Sequence, residues 1–254
     1  MILQKFFEFN KKDLEPIKSF YLKDNLCPKL WDDLNLDKEV RENLLQIGKD
    51  FFDSVEVDCE VKDIVFCGSL CNYNWSNKYS DYDLHIIVNY KDIDENLELV
   101  EKFCDYAKKK WNLDHDIFLK GFEVEVAIQD EKDFKESIKT NRMGGAFSVM
   151  KNKWLKKPEK SEFVPDEKTI IKKAGAIMDV VDEIKSKIEE DEYPVIEKKL
   201  DSIWKKIKKS RQSGLEEGGE LSTGNLIFKL LRRNGYVEKV MEMKKTSYDN
   251  QFNK

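Results

Sequence analysis

The sequence predicts an α+β chain, with a mixed β-sheet lobe over residues 1–160 and an all-helical lobe over residues 161–254. Three observations carry this reading. Ile64-Val65-Phe66-Cys67 is a short apolar run of the kind that forms a buried strand, and Ser80 to Val88 alternates with a period of two. Phe122 to Gln129 alternates as cleanly behind Lys120-Gly121, which marks a hairpin. Beyond the linker Pro158 to Pro165 the period becomes 3.6: Ile170, Ala174, Ile177, Val181, Ile184 and Ile188 step by threes and fours.

Taken in order, Phe20-Tyr21-Leu22 and Leu30-Trp31 read as packing on the core. Asp37 caps a helix to about Asp53, with Val40, Leu44, Ile47 and Phe51 on one face. Asn89 to Asp92 is a turn. Asp92 and Glu95 form a capping box for a helix over about 93–111, striped by Leu97, Val100, Cys104 and Ala107. Met143-Gly144-Gly145-Ala146 reads as a flexible loop. The stretch after it carries Trp154 and Lys151, Lys153, Lys156 and Lys157.

In the helical lobe Pro194 suits a first turn. Ile196, Leu200, Ile203 and Ile207 repeat the stripe, and Gly214 ends that helix. Ser222 caps a helix bearing Leu226, Ile227, Leu230 and Leu231, stopped at Asn234-Gly235. A short helix follows, with a frayed tail from Thr246.

The charged fraction is 37%, of mixed sign, and the net charge is −5, which argues against a generic nucleic-acid coat while leaving room for a local basic patch. Five cysteines in no disulfide-like pattern suggest a reducing compartment. The first residues are too soon interrupted for a signal peptide, and no apolar run approaches the ~18 residues that span a bilayer. The expectation is a soluble, cytoplasmic protein with no membrane partner.

The chemistry concentrates between Ile64 and Val88. The period of two puts Asp81, Asp83, His85 and Ile87 on one face of their strand and Tyr82, Leu84, Ile86 and Val88 on the other. Two carboxylates at the start of a strand bound for a core are costly unless something binds them. A divalent cation is the usual solution, and oxygen-only ligands suit magnesium or manganese. The bland alternative is a solvated strand end.

A strand ending in the Gly68-Ser69 turn, followed by Asp81-x-Asp83 on the next strand, resembles the signature of the nucleotidyltransferase superfamily of DNA polymerase beta. The wording G-S-L-C-N-Y-N-W and S-D-Y-D-L-H-I-I-V is also similar to nucleotidyltransferases from bacteria and their phages. So are the later stretches V-E-V-A-I-Q-D, F-S-V-M-K-N-K-W-L-K-K-P and F-K-L-L-R-R-N-G-Y.

The resemblance implies transfer of an NMP group from an NTP to an acceptor hydroxyl, with two magnesium or manganese ions bridged by Asp81 and Asp83. It also implies a third carboxylate on a neighbouring strand. Glu123 and Glu125 share a face; Glu125, within Val-Glu-Val, matches the family's hydrophobic-acid-hydrophobic element, and Glu123 is its rival. Gly68, Ser69 and Ser80 are the implied nucleotide-binding residues, the turn presenting N–H groups and a hydroxyl to the triphosphate. The acceptor stays open: a nucleotide, an RNA end, a small molecule or a protein. The alternative is a catalytically inactive nucleotide-binding or interaction protein on the same scaffold.

Other signals have bland rivals. His85 reads as a packed, hydrogen-bonded residue. Cys59, Cys67, Cys71 and His85 match no zinc spacing. Tyr73 and Trp75 stack on a base or are buried beside the motif. Lys205, Lys206, Lys208, Lys209 and Arg211, with Lys229, Arg232 and Arg233, form the most basic stretch. It holds a triphosphate tail or an RNA acceptor, or is a solvated helix face. Lys229 and Arg232, three apart on one helix, are the candidates for reaching the triphosphate.

Overall fold

The computed structural model describes residues 15–140, 142–187 and 193–253. The chain forms two compact units: Leu22–Glu162, and Phe163 onward together with the segment ending at Tyr21.

The first unit is built on a sheet. Its elements are β1 (Trp31–Asp32), β2 (Asn35–Leu36), α2 (Lys38–Val55), β3 (Asp63–Cys67), β4 (Tyr82–Val88), α3 (Leu97–Asp114), β5 (Phe118–Leu119), β6 (Phe122–Asp130), α4 (Glu131–Lys139), β7 (Ala146–Ser148) and β8 (Lys153–Lys156). Six strands pair in the order β5-β6-β4-β3-β7-β8. The β4–β6 ladder is parallel and the others are antiparallel, so the sheet is mixed. A parallel pair needs a long crossover, and α3 supplies it.

β3 is buried at all five positions because it is paired on both edges and covered on both faces. One face, with Phe66, Leu84, Ile86, Val88 and Val126, packs on Val40, Leu44 and Phe51 of α2 and on Val100 and Cys104 of α3. The other, with Val65, Cys67 and Ile87, packs on Phe134 of α4, Met143 and Ala146. Trp31 stacks on Trp154 at 4.6 Å between ring centres, and its indole N–H donates to Leu70 O at 2.8 Å. It ties the small β1–β2 hairpin to the sheet edge and to the turn after β3.

Asp63, at the head of β3, is 5% exposed. It accepts hydrogen bonds from Ser148 Oγ at 2.7 Å and Ile64 N at 2.9 Å, and an ion pair from Lys151 Nζ at 2.7 Å. Lys151 is thus a structural cation that locks β3 to the strand beside it. Asp63→Ala strands the buried Ser148 hydroxyl and the Ile64 N–H and leaves the exposed Lys151 ammonium to water, at an expected cost of about 2–3 kcal/mol. At this chain length that lowers the melting temperature by about 5–10 °C. An unchanged denaturation midpoint would show that the cluster contributes nothing.

The second unit consists of α1 (Glu15–Lys18), α5 (Glu167–Lys187), α6 (Tyr193–Gly218), α7 (Thr223–Arg233) and α8 (Tyr236–Asp249). Ile170, Ala174, Met178 and Ile207 meet Leu226, Ile227, Leu230 and Leu231 in its core. A second cluster joins Val181, Ile184, Ile196, Leu200, Val240 and Met243. Ile188 of the expected stripe lies outside the described residues. No helix among the described residues is long and apolar enough to cross a membrane.

Several local expectations are corrected. Phe20, with Ile17, packs in the core of the helical unit. Asp37 caps α2 as expected, accepting from Val40 N at 2.9 Å. The next helix is capped by Asn96 instead of Asp92, because Asp92 closes a 3₁₀ turn and its carboxylate is taken by Asn89 Nδ2 at 2.8 Å. α6 runs through Gly214 to Gly218, since the start of α7 packs where a Gly214 side chain would stand. α8 continues past Thr246 to Asp249, held by buried Ser247.

Met143 to Ala146 is not a loose loop. Met143 and Ala146 are buried, and a Cβ on Gly145 would lie 2.0 Å from the Cys71 carbonyl oxygen.

Candidate functional site

β3 ends at Cys67, and the chain turns at Gly68 with φ 78° and ψ −161°. That combination is essentially reserved for glycine. A 3₁₀ turn over Ser69–Cys71 follows, closed by Cys71 N–H donating to Gly68 O at 3.1 Å. Two close contacts bound this turn. On one side Gly145 lies against Cys71. On the other, a Cβ at Gly68 would stand 1.8 Å from Asp83 Oδ2. The missing side chain at Gly68 is the space that the Asp83 carboxylate fills.

β4 presents the two aspartates through its alternation. Tyr82, between them, turns into the core, where its ring sits 5.0 Å from Phe66 and 6.3 Å from Phe122. Burial pushes its phenol well above the usual range. With Tyr82 anchored inward, Asp83 points to the opposite face and stays half-buried, as does Asp81 just before the strand.

The parallel ladder aligns Asp83 with Glu125. Neighbouring strands are about 4.8 Å apart, so the two carboxylates leave adjacent backbones on one face. Glu125 is half-buried. Glu123 lies beyond the β4–β6 ladder, paired with Phe118 of β5, and is exposed.

His85 is the next residue on the Asp83 face. Its Nδ1 pairs with Gln129 Oε1 at 2.7 Å, and burial lowers the pKa of its ring. It behaves as a hydrogen-bonded strand residue, as the sequence suggested.

Ser69 Oγ and Ser80 Oγ are hydrogen-bonded at 2.7 Å, and Ser80 Oγ accepts from Ser76 N at 2.9 Å. This short chain joins the Gly68 turn to the approach of β4. Ser76 was not among the expected residues; nothing in its sequence surroundings marks it. Tyr73 and Trp75, in the same connection, are half-buried beside Trp31, and Trp75 donates to Asn25 O at 2.8 Å. They line a cavity of about 400 Å³ with Trp31, Leu26 and Leu34. Lys78, the cation nearest in sequence to the aspartates, holds its ammonium 5.2 Å from the Tyr79 ring centre.

All five cysteines are free thiols. As they stand, no three Asp, Glu, His or Cys side chains among the described residues are gathered closely enough to hold a metal ion. The register nevertheless puts Asp83 and Glu125 on one face with Asp81 two residues before Asp83, and all their donors are carboxylate oxygens. That donor set fits a hard divalent cation once the side chains turn to a common point.

No protein-family model and no curated protein matches the chain. Among solved structures it aligns with the STING-associated CdnE c-di-GMP synthase from Capnocytophaga granulosa. That alignment has 12% sequence identity and a TM-score of 0.24, over 98% of this chain and 93% of the other. A likeness of this size carries no argument about fold or function.

Lys229 and Arg232 stand on α7 of the helical unit, the first half-buried and the second exposed.

Proposed function

We propose that this chain is a divalent-metal-dependent nucleotidyltransferase, moving an NMP group from an NTP to an acceptor hydroxyl and releasing pyrophosphate. One observation carries the reading: the glycine-only turn at Gly68 is shaped around the Asp83 carboxylate, with Glu125 in register on the adjacent strand.

Asp81, Asp83 and Glu125 would hold magnesium or manganese, two ions in all. Once bound, they supply positive charge to the attacking and leaving oxygens. In the transfer itself the acceptor oxygen bonds to the α-phosphorus, the bond from that phosphorus to the pyrophosphate oxygen breaks, and the hydroxyl proton is lost to solvent. The chain's own part is positioning. Backbone N–H groups of the turn after Gly68 would face a bound phosphate, and the Ser69–Ser80 pair, which spends one hydroxyl proton on its own bond, would keep one donor beside it.

Lys229 and Arg232 remain a proposal drawn from the sequence, as countercharge for the β- and γ-phosphates. Neutralising both is expected to raise the NTP KM about tenfold to a hundredfold.

The test is to incubate the pure protein with all four NTPs and magnesium or manganese, then assay pyrophosphate, soluble products and protein mass. These readouts separate a nucleotide, small-molecule or RNA acceptor from the protein itself. Metal-dependent NTP binding without pyrophosphate would leave a nucleotide-binding scaffold instead of an enzyme. Glu125→Gln is expected to lose activity about a hundredfold or more, while Glu123→Gln stays within about threefold. The reverse pattern would give the third ligand to Glu123.

A further inference from the structure

The basic stretch of α6 divides into two groups. Lys208 lies over the Trp204 ring at 5.8 Å, and Arg211 over the Phe228 ring at 4.2 Å, so both are spent on aromatic faces. Lys205, Lys206 and Lys209 instead join Lys198, Asp201 and Ser202 around an open trough of about 410 Å³. Asp201, the one acid there, is already matched: Lys244 Nζ sits 2.6 Å away and holds its carboxyl below the usual range. All four lysines are exposed, and among the described residues none is in an ion pair.

Lys198 to Lys209 spans about 16 Å of helix at 1.5 Å per residue. Lys205 and Lys209, four apart, repel on the same face. Four exposed cations thus line a trough that holds a single acid, Asp201, whose charge Lys205 shares with Lys244, in a chain of net charge −5.

We propose that this trough on α6 binds the phosphate backbone of a nucleic acid. The cations are strung out along the helix, which suits a chain of phosphates better than one compact anion. No aromatic or apolar side chain lines the trough. It therefore has no surface for stacking bases and no anchor for a lipid surface, and it reads backbone charge without sequence. The inference does not rest on the transferase reading, because the trough belongs wholly to the helical unit.

The test is fluorescence anisotropy with a labelled oligouridylate of about fifteen nucleotides, titrated between about 50 and 300 mM salt. Four backbone contacts predict a slope of log affinity against log salt of about −3. The variant with Lys198, Lys205, Lys206 and Lys209 all changed to Gln should bind at least about tenfold more weakly at low salt, with a slope close to zero. Circular dichroism checks that its helix content is kept. A control with Lys102, Lys109, Lys110 and Lys135 changed to Gln, of equal charge change in the other unit, should bind as wild type. Equal binding by the trough variant, or inorganic tripolyphosphate competing as tightly as the oligonucleotide, would overturn the proposal.

Discussion

Asp83→Asn is expected to lower pyrophosphate release by about a thousandfold or more, a barrier increase of at least about 4 kcal/mol. The substitution keeps the volume that fills the Gly68 turn and removes only the charge. It also relieves repulsion between carboxylates that share a face with Glu125. The melting temperature should therefore hold or rise while activity disappears, a pairing that a mere packing residue does not give. Asp81→Asn should behave alike. Activity within about tenfold of wild type in either variant would take that residue out of the metal set.

Gly68→Ala is expected to damage both fold and activity. The alanine must adopt φ 78° and ψ −161°, at a cost of about 1–3 kcal/mol. Its methyl group must also displace the Asp83 carboxylate, which would lie 1.8 Å from it. Overpacking of that kind adds about 1–3 kcal/mol. Together these lower the melting temperature by about 5–15 °C. The two causes separate in a double-mutant cycle. In an Asp83→Ala background the nearest remaining atom is the Cβ at position 83, at 3.1 Å, so the clash shrinks to a few tenths of an ångström and mainly the backbone strain persists. A coupling of about 1–2 kcal/mol between the positions is the expected result. Full additivity would mean that the turn does not depend on the carboxylate it encloses.

Much of this architecture was legible because it rests on local pattern. The alternation of Tyr82 to Val88, the Lys120-Gly121 turn with both residues at positive φ, and the caps at Asp37 and Ser222 are all written within a few residues. β7 and β8 were not legible. Ala146–Ser148 is a strand only because β3 offers it an edge, and its glycine neighbour signals freedom where the structure has close contact. α4 escaped notice because a nine-residue helix with one buried side chain, Phe134, shows no stripe. At the candidate site, alternation put Glu123 and Glu125 on one face, and Glu125 was favoured by the resemblance and by Glu123's place nearer the turn, where it is more easily solvated. What separates them physically is strand register, set by the crossover through α3, which no local spacing encodes.

The clamp on the Gly68 turn has a consequence for motion. Cys71 N–H is bonded to Gly68 O and Asn72 N–H to Ser69 O, each at 3.1 Å. Gly145, far along the chain, is pressed against the same segment. These amides cannot meet solvent by a fluctuation of the turn alone, because Ala146–Ser148 would have to leave the sheet with it. In deuterated water they should exchange with the slow class of amides of β3 rather than with those of the surface loops. The part of the chain assigned to cradle phosphate is then a fixed seat, and any movement that accompanies a catalytic cycle has to come from elsewhere in the molecule.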